Sequence, residues 1–206
     1  MAEINADLIK TLREKTGAGV MDCKKALAEA AGNLDKAVVW LREKGIAQSA
    51  KRAGKLASEG IIGAYIHTGG KLGVLVEINC ETDFVANTLE FQSLVKEIAM
   101  QVAAANPRCV SRGQLPAQVL EREREIYAAQ AAGKPPAVVE KIVEGRLEKF
   151  YREVCLIEQG YMRDPSRTVG DLIGEHVAKL GEKIEVRRFV RFQLGEDLDG
   201  AGSQKG

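Results

Sequence analysis

IIGAYIHTGGKLGVLVEINC, residues 61–80, is where the chain stops reading as helix and starts reading as sheet. Two strand-like runs, Ile61–His67 and Leu72–Cys80, flank Thr68-Gly69-Gly70-Lys71, the composition of a β-hairpin turn. In the second run Leu72, Val74, Val76 and Ile78 alternate with Gly73, Leu75 and Glu77, so one face is apolar and the other mixed. An apolar sheet face needs a cover. Downstream, Phe91, Leu94, Val95, Ile98 and Val102 fall at helical spacing, with Asn87 expected as the N-cap and Glu90 at the capping-box position. Hairpin and helix together predict an α+β layer. Lys183–Leu194 reads as a last strand that pairs with the hairpin, giving a small antiparallel sheet of about three strands covered by helices.

Upstream the pattern is helical. Asn5 is placed to cap a helix carrying Leu8, Ile9 and Leu12, with Ile4 and Ile9 as a hydrophobic staple and Thr16-Gly17 as its end. A second helix is expected from Val20 to Ala31 with Gly32 as its stop, and a third opens at Asn33 and ends at Gly45. Ile46–Glu59 reads as a linker helix whose basic face, Lys51, Arg52 and Lys55, is a solvated one. Residues 1–53 are therefore expected to form a three-helix docking bundle, and 54–196 an α+β core. Between Leu115 and Gly160 the core carries a charge-rich helix–turn–helix broken at Gly133-Lys134-Pro135-Pro136. Its second arm bears Val139, Ile142, Val143, Leu147, Phe150, Tyr151 and Val154. Thr168-Val169-Gly170-Asp171 opens a further helix through Leu172, Ile173, Val177 and Leu180, closed by Gly181. The tail 197–206, polar and rich in glycine, is expected to be disordered.

Composition narrows the function classes. Hydrophobic residues make up 45% of the 206 and charged ones 29%, enough for a packed core. Lys and Arg number 30 against 29 acidic residues, a balance that gives no push toward nucleic acid or a membrane surface. The charged N-terminus MAEINADLIKTLREKTG has no apolar core of the secretory kind, and no apolar run reaches membrane-spanning length. Cys23, Cys80, Cys109 and Cys155 are far apart in sequence and form no CxxC pair; reduced, buried thiols in the cytoplasm are the expectation.

Chemistry-bearing motifs fail in turn. No GxxxxGK[ST] loop is present to wrap phosphates. Gly17-Ala18-Gly19 begins a dinucleotide fingerprint, but Asp22 stands where the third glycine belongs and no strand precedes it. His67 and His176 are the only histidines, too few for an ordinary metal site without paired cysteines. The expectation is a protein with no cofactor, no metal and no catalytic centre, which works by docking onto a protein partner.

One segment stands apart: NCETDFVAN, residues 79–87, which joins the second hairpin strand to the following helix. Read by residue type, it has two interpretations. A Phe beside a strand end most often plugs the core; an acid–aromatic pair at an element terminus is alternatively free to enter a partner's crevice. The segment resembles the hallmark of the elongation factor Ts family, the bacterial and organellar exchange factors for elongation factor Tu. LIKTLREKTGAGVMDCKKAL (8–27), AVVWLREKG (37–45), EGIIGAYIH (59–67) and RRFVRFQLGE (187–196) are similar to other parts of that family, in family order.

The resemblance implies a ubiquitin-associated-like N-terminal bundle, an α+β core of the short form with one core repeat, and a homodimer. It implies elongation factor Tu, GDP-bound and nucleotide-free, as partner. Thr82, Asp83, Phe84 and Val85 match the segment that displaces Mg²⁺ from that partner, and Arg13 and Met21 match N-terminal partner contacts. Asn87 falls where a basic residue is common in the family. The rival class is a docking module without exchange activity, and the TDFV segment favours exchange.

Overall fold

The computed structural model describes residues 5–52 and 54–196. The expected Ile4–Ile9 staple and the tail from 197 onward lie outside the described residues.

The chain opens with three helices, α1 (Ala6–Thr16), α2 (Val20–Glu29) and α3 (Leu34–Arg52). The Asn5 side chain accepts the Leu8 N–H at 2.9 Å, and Gly17, with φ of 67°, ends α1 in the left-handed conformation. Leu12, Cys23, Ala26, Leu27 and Ala37 are wholly buried between the three helices, with Leu8, Ile9, Trp40 and Leu41 packed around them.

Helix α3 does not stop at Gly45; it continues to Arg52 and absorbs much of the expected linker. The reason lies in α8 (Val169–Leu180), on which α3 packs. A Cβ at Gly45 would sit 3.1 Å from the carbonyl oxygen of Gly174, so glycine here permits a close helix crossing. The propensity cost of an interior glycine, about 1 kcal/mol, is offset by that contact. Arg42 fastens the same crossing, pairing with Asp171 and donating to the Ser166 carbonyl.

Strands β1 (Glu59–Ile66) and β2 (Leu72–Cys80) form the expected hairpin, and β5 (Ile184–Gln193) adds antiparallel on the other side of β2. The sheet's inner face, Val74, Val76 and Ile78, is fully covered. Its cover is α5 (Leu89–Ala105), through Phe91, Leu94, Val95, Ile98 and Val102, together with Leu172, Ile173 and Val177 of α8. Gly63 lets α5 settle on β1, since a Cβ there would lie 2.2 Å from Val95 Cγ1.

Asn87 is not the cap of α5. Thr88 is, its hydroxyl accepting the Phe91 N–H at 3.2 Å. An extra helical turn, α4 (Asp83–Ala86), occupies the link, and Asn87 closes it, its side-chain amide donating to the Asp83 carbonyl. Glu90 pairs with Lys179 at 2.6 Å.

Helices α6 (Ala117–Gln130) and α7 (Pro136–Val154) make the helix–turn–helix, with Val143, Leu147, Phe150 and Val154 buried. A two-stranded ribbon, β3 (Gly160–Tyr161) with β4 (Asp164–Thr168), was not expected. The capping box at α8 is complete: Thr168 takes the Asp171 N–H and Asp171 takes the Thr168 N–H.

Candidate functional site

β2 ends at Cys80, and the chain turns through Glu81 and Thr82 into α4. Thr82 is extended (φ −131°, ψ 155°) and caps the short helix, its hydroxyl accepting the Val85 N–H at 3.4 Å. The same hydroxyl donates to Glu182 at 2.6 Å, and the backbone N–H groups of Glu81 and Thr82 donate to the other Glu182 oxygen at 3.1 and 3.0 Å. The Glu81 carboxylate in turn accepts the Lys183 N–H at 2.6 Å and an Arg52 N–H at 2.8 Å. That backbone donor, with Arg52, holds the Glu81 carboxyl below its ordinary range.

The four residues 82–85 therefore divide into two pairs. Thr82 is fixed by Glu182, and Val85 packs against the core cluster, with Ala86 buried beside it. Asp83 and Phe84 face outward, and Phe84 is 82% exposed. A phenyl ring left in water forgoes roughly 1.5–3 kcal/mol of burial. Of the two readings of this Phe, the core plug does not hold. Leu89, the first residue of α5, is also 84% exposed. The sequence pattern does not single it out, because it lies outside the line Phe91, Leu94, Ile98.

Arg13 and Met21 are both exposed, on α1 and α2 of the bundle, where Val20 is also uncovered. The bundle and α8 enclose a crevice of about 230 Å³ lined by Lys15, Asp22, Arg42, Ser166 and Lys179 among others. Several of its charges are paired: Lys44 with Asp22, Arg167 with Glu175, and Arg42 with Asp171 beside it.

A second uncovered surface is the outer face of the sheet. Leu75 lies between Ala64 and Val190, and Ile62, Ile66 and Phe192 extend the apolar area along both flanking strands. Glu77, on the same face, is held by Arg187 and Arg188.

Both histidines have partners within the chain. His67 shares a hydrogen bond with the Tyr65 hydroxyl, and His176 meets the Leu172 carbonyl through Nδ1 and lies 3.4 Å from Glu90 through Nε2. All four cysteines are buried free thiols; burial pushes Cys80 up to about 11 and Cys155 up to about 12. Among the described residues no group of three or more His, Cys, Asp or Glu is gathered to hold a metal, and no helix is long and apolar enough to cross a membrane.

The exposed acid–aromatic pair, Asp83 and Phe84, thus stands on a short helix held through Thr82 and Val85. A family model described as Elongation factor TS matches residues 6–196. The chain belongs to the elongation factor Ts family. Elongation factor Ts of Thermoanaerobacter sp. (strain X514) is 61% identical over 203 residues, covering 98% of this chain and 100% of that protein. That of Caldanaerobacter subterraneus subsp. tengcongensis is 61% identical over 198 residues, 95% of this chain and 99% of the relative. That of Moorella thermoacetica is 62% identical over 192 residues, 92% and 95% of the two chains. Membership of the elongation factor Ts family makes this chain a translation elongation factor of the guanine-nucleotide exchange class.

Proposed function

We propose that this chain binds elongation factor Tu·GDP in the cytoplasm and releases GDP by displacing the Mg²⁺ that the partner holds, with Thr82–Val85 as the working segment. A GTPase retains its nucleotide through P-loop amides, a lysine and a Mg²⁺ that bridges phosphate oxygens to the protein. Loosening it requires no bond chemistry. The factor must bind the nucleotide-free state more tightly than the GDP state, and by linkage GDP weakens the factor to the same degree.

The observation that carries the reading is Phe84, 82% exposed on a short helix that is held by Glu182 at Thr82 and by the core at Val85. Burying it in the partner would contribute roughly 1.5–3 kcal/mol, realised only in the complex. Asp83, beside it and exposed, would redirect the polar contacts around the metal. Residues 1–53 act as a docking bundle that adds affinity through Arg13 and Met21, and 54–196 as the exchange and dimerisation core. Two copies associate through the outer sheet face, whose exposed Leu75, Val190 and Phe192 support this role. No disulfide takes part, since no cysteine lies on that face.

Stopped-flow release of a fluorescent GDP analogue from elongation factor Tu tests the mechanism. The chain should accelerate release strongly in millimolar Mg²⁺ and much less when a chelator has already stripped the metal. Equal acceleration in both conditions would contradict the Mg²⁺ route.

A further inference from the structure

Glu182 follows Gly181, the residue that ends α8 in the left-handed conformation (φ 74°). That turn sends the chain back toward the sheet, where Ile184 pairs with Cys80. The α8–β5 turn and the β2–α4 turn thus leave the sheet side by side, although about a hundred residues separate them in sequence. Each turn offers a carboxylate to the other. Glu182 takes the two N–H groups of Glu81 and Thr82 and the Thr82 hydroxyl; Glu81 takes the Lys183 N–H and Arg52.

We propose that Glu182 is a positioning residue for nucleotide exchange, holding Thr82 so that Asp83 and Phe84 project from the core at a fixed angle. This rests on the reading of Phe84 given above. A carboxylate that accepts three hydrogen bonds from two consecutive residues fixes orientation as well as position, because both of its oxygens are committed. The need is physical. Helix α4 has four residues, too few to sustain itself without outside support. Its cap is the Thr82 hydroxyl, and that hydroxyl is oriented by Glu182. A segment already ordered in the free chain does not spend binding free energy on ordering when the partner arrives. Arg52, the last residue of α3, reaches the same clasp through Glu81 and so ties the exit of the N-terminal bundle to the exchange segment.

The test uses the full chain and the partner GTPase. Glu182→Ala should lower the maximal rate of GDP release, at saturating factor, by about tenfold, the loss expected for about 1.4 kcal/mol of transition-state contact. Glu182→Gln retains an oxygen for the two N–H groups and should recover most of the rate. Amide hydrogen exchange at Glu81 and Thr82 should speed up in Glu182→Ala, while the melting temperature falls by no more than a few degrees. If Glu182 acts through Phe84, adding Glu182→Ala to Phe84→Ala should cost almost nothing further.

Full activity in Glu182→Ala overturns the proposal, as does an undiminished second loss in the Phe84→Ala background. So does a loss that follows melting alone and that Glu182→Gln does not restore. A loss in Phe84→Ala with none in Glu182→Ala removes only the role of Glu182. No loss in either removes the reading of the segment as well.

Discussion

Among the described residues, two of the apolar surfaces that meet water are built in opposite ways. On the outer face of the sheet, exposed side chains from three strands lie in cross-strand register over an extended area, with Ala64, Leu75 and Val190 in one row. At the β2–α4 junction a single ring, Phe84, stands on a four-residue helix steadied by Glu182 below and by Val85 in the core. An extended surface gains from area and tolerates small errors of placement. A single ring gains only if it arrives at the right point, so the protein invests hydrogen bonds in its support. The first arrangement suits lasting association with a second copy, and the second suits a brief intrusion into a partner.

The largest expected effect breaks the first half of this contrast. If two copies associate through this face as proposed, Phe192→Asp, which places a charge in it, should raise their dissociation constant by a hundredfold or more, about 2.7 kcal/mol. Sedimentation should then show monomer at micromolar concentration, with GDP release per chain retained where the bundle and segment are intact. A parent chain already monomeric at that concentration would refute the association, and a dimer undisturbed by the charge would mean that copies meet elsewhere.

A smaller effect concerns how the bundle meets the core. Gly45→Val forces side-chain atoms toward the Gly174 carbonyl, 3.1 Å from the first of them. Overpacking of this kind costs about 1–3 kcal/mol. Thermal melting should fall by several degrees, and trypsin should cut more readily near Arg52 and Lys55. Unchanged melting would show that the crossing yields without cost.

The smallest effect sharpens the account of the same crossing. Burial raises the Asp171 pKa, but the Thr168 N–H and Arg42 outweigh it, and the carboxyl lies below its ordinary value. A folded-state pKa that is depressed adds stability above the unfolded value, about 3.9, and loses it as pH falls from there toward the folded pKa. Asp171→Asn should therefore flatten the acid limb of a stability–pH curve below about pH 4 and lower stability at neutral pH. An unaltered acid limb would place the titration on other carboxylates.

The parts of the fold legible in sequence are those set by local chemistry. The hairpin at 61–80, the spacing from Phe91 to Val102 and the Thr168–Asp171 capping box each rest on residues a few positions apart, and each is present. Where sequence reading failed, the deciding partner was distant or the motif too short. Gly45 looks like a helix stop because only α8, more than a hundred residues on, explains why a glycine belongs inside α3. The Asn87 cap was displaced by one residue because α4 has just four residues and no period of its own.

At the site, the motif around Thr82–Val85 could be recognised, but residue type alone left Phe84 between core and surface. Nothing local distinguishes the anchored pair, Thr82 and Val85, from the presented pair. The Glu182 clasp, which makes that distinction, joins two turns that meet only in the folded sheet.

The central claim is that Phe84 is presented to a partner while Val85 is held by the core. The most direct test pairs two variants, measuring the melting temperature and the maximal GDP release rate from elongation factor Tu for each. Phe84→Ala should melt like the parent and release GDP at least tenfold more slowly, a loss of about 1.4 kcal/mol or more in the transition state. Val85→Ala should lose about 1 kcal/mol of packing, seen as a drop of a few degrees, with far less effect on release per folded molecule. The reverse pattern, a Phe84→Ala that melts early yet exchanges normally once folded, would contradict the account.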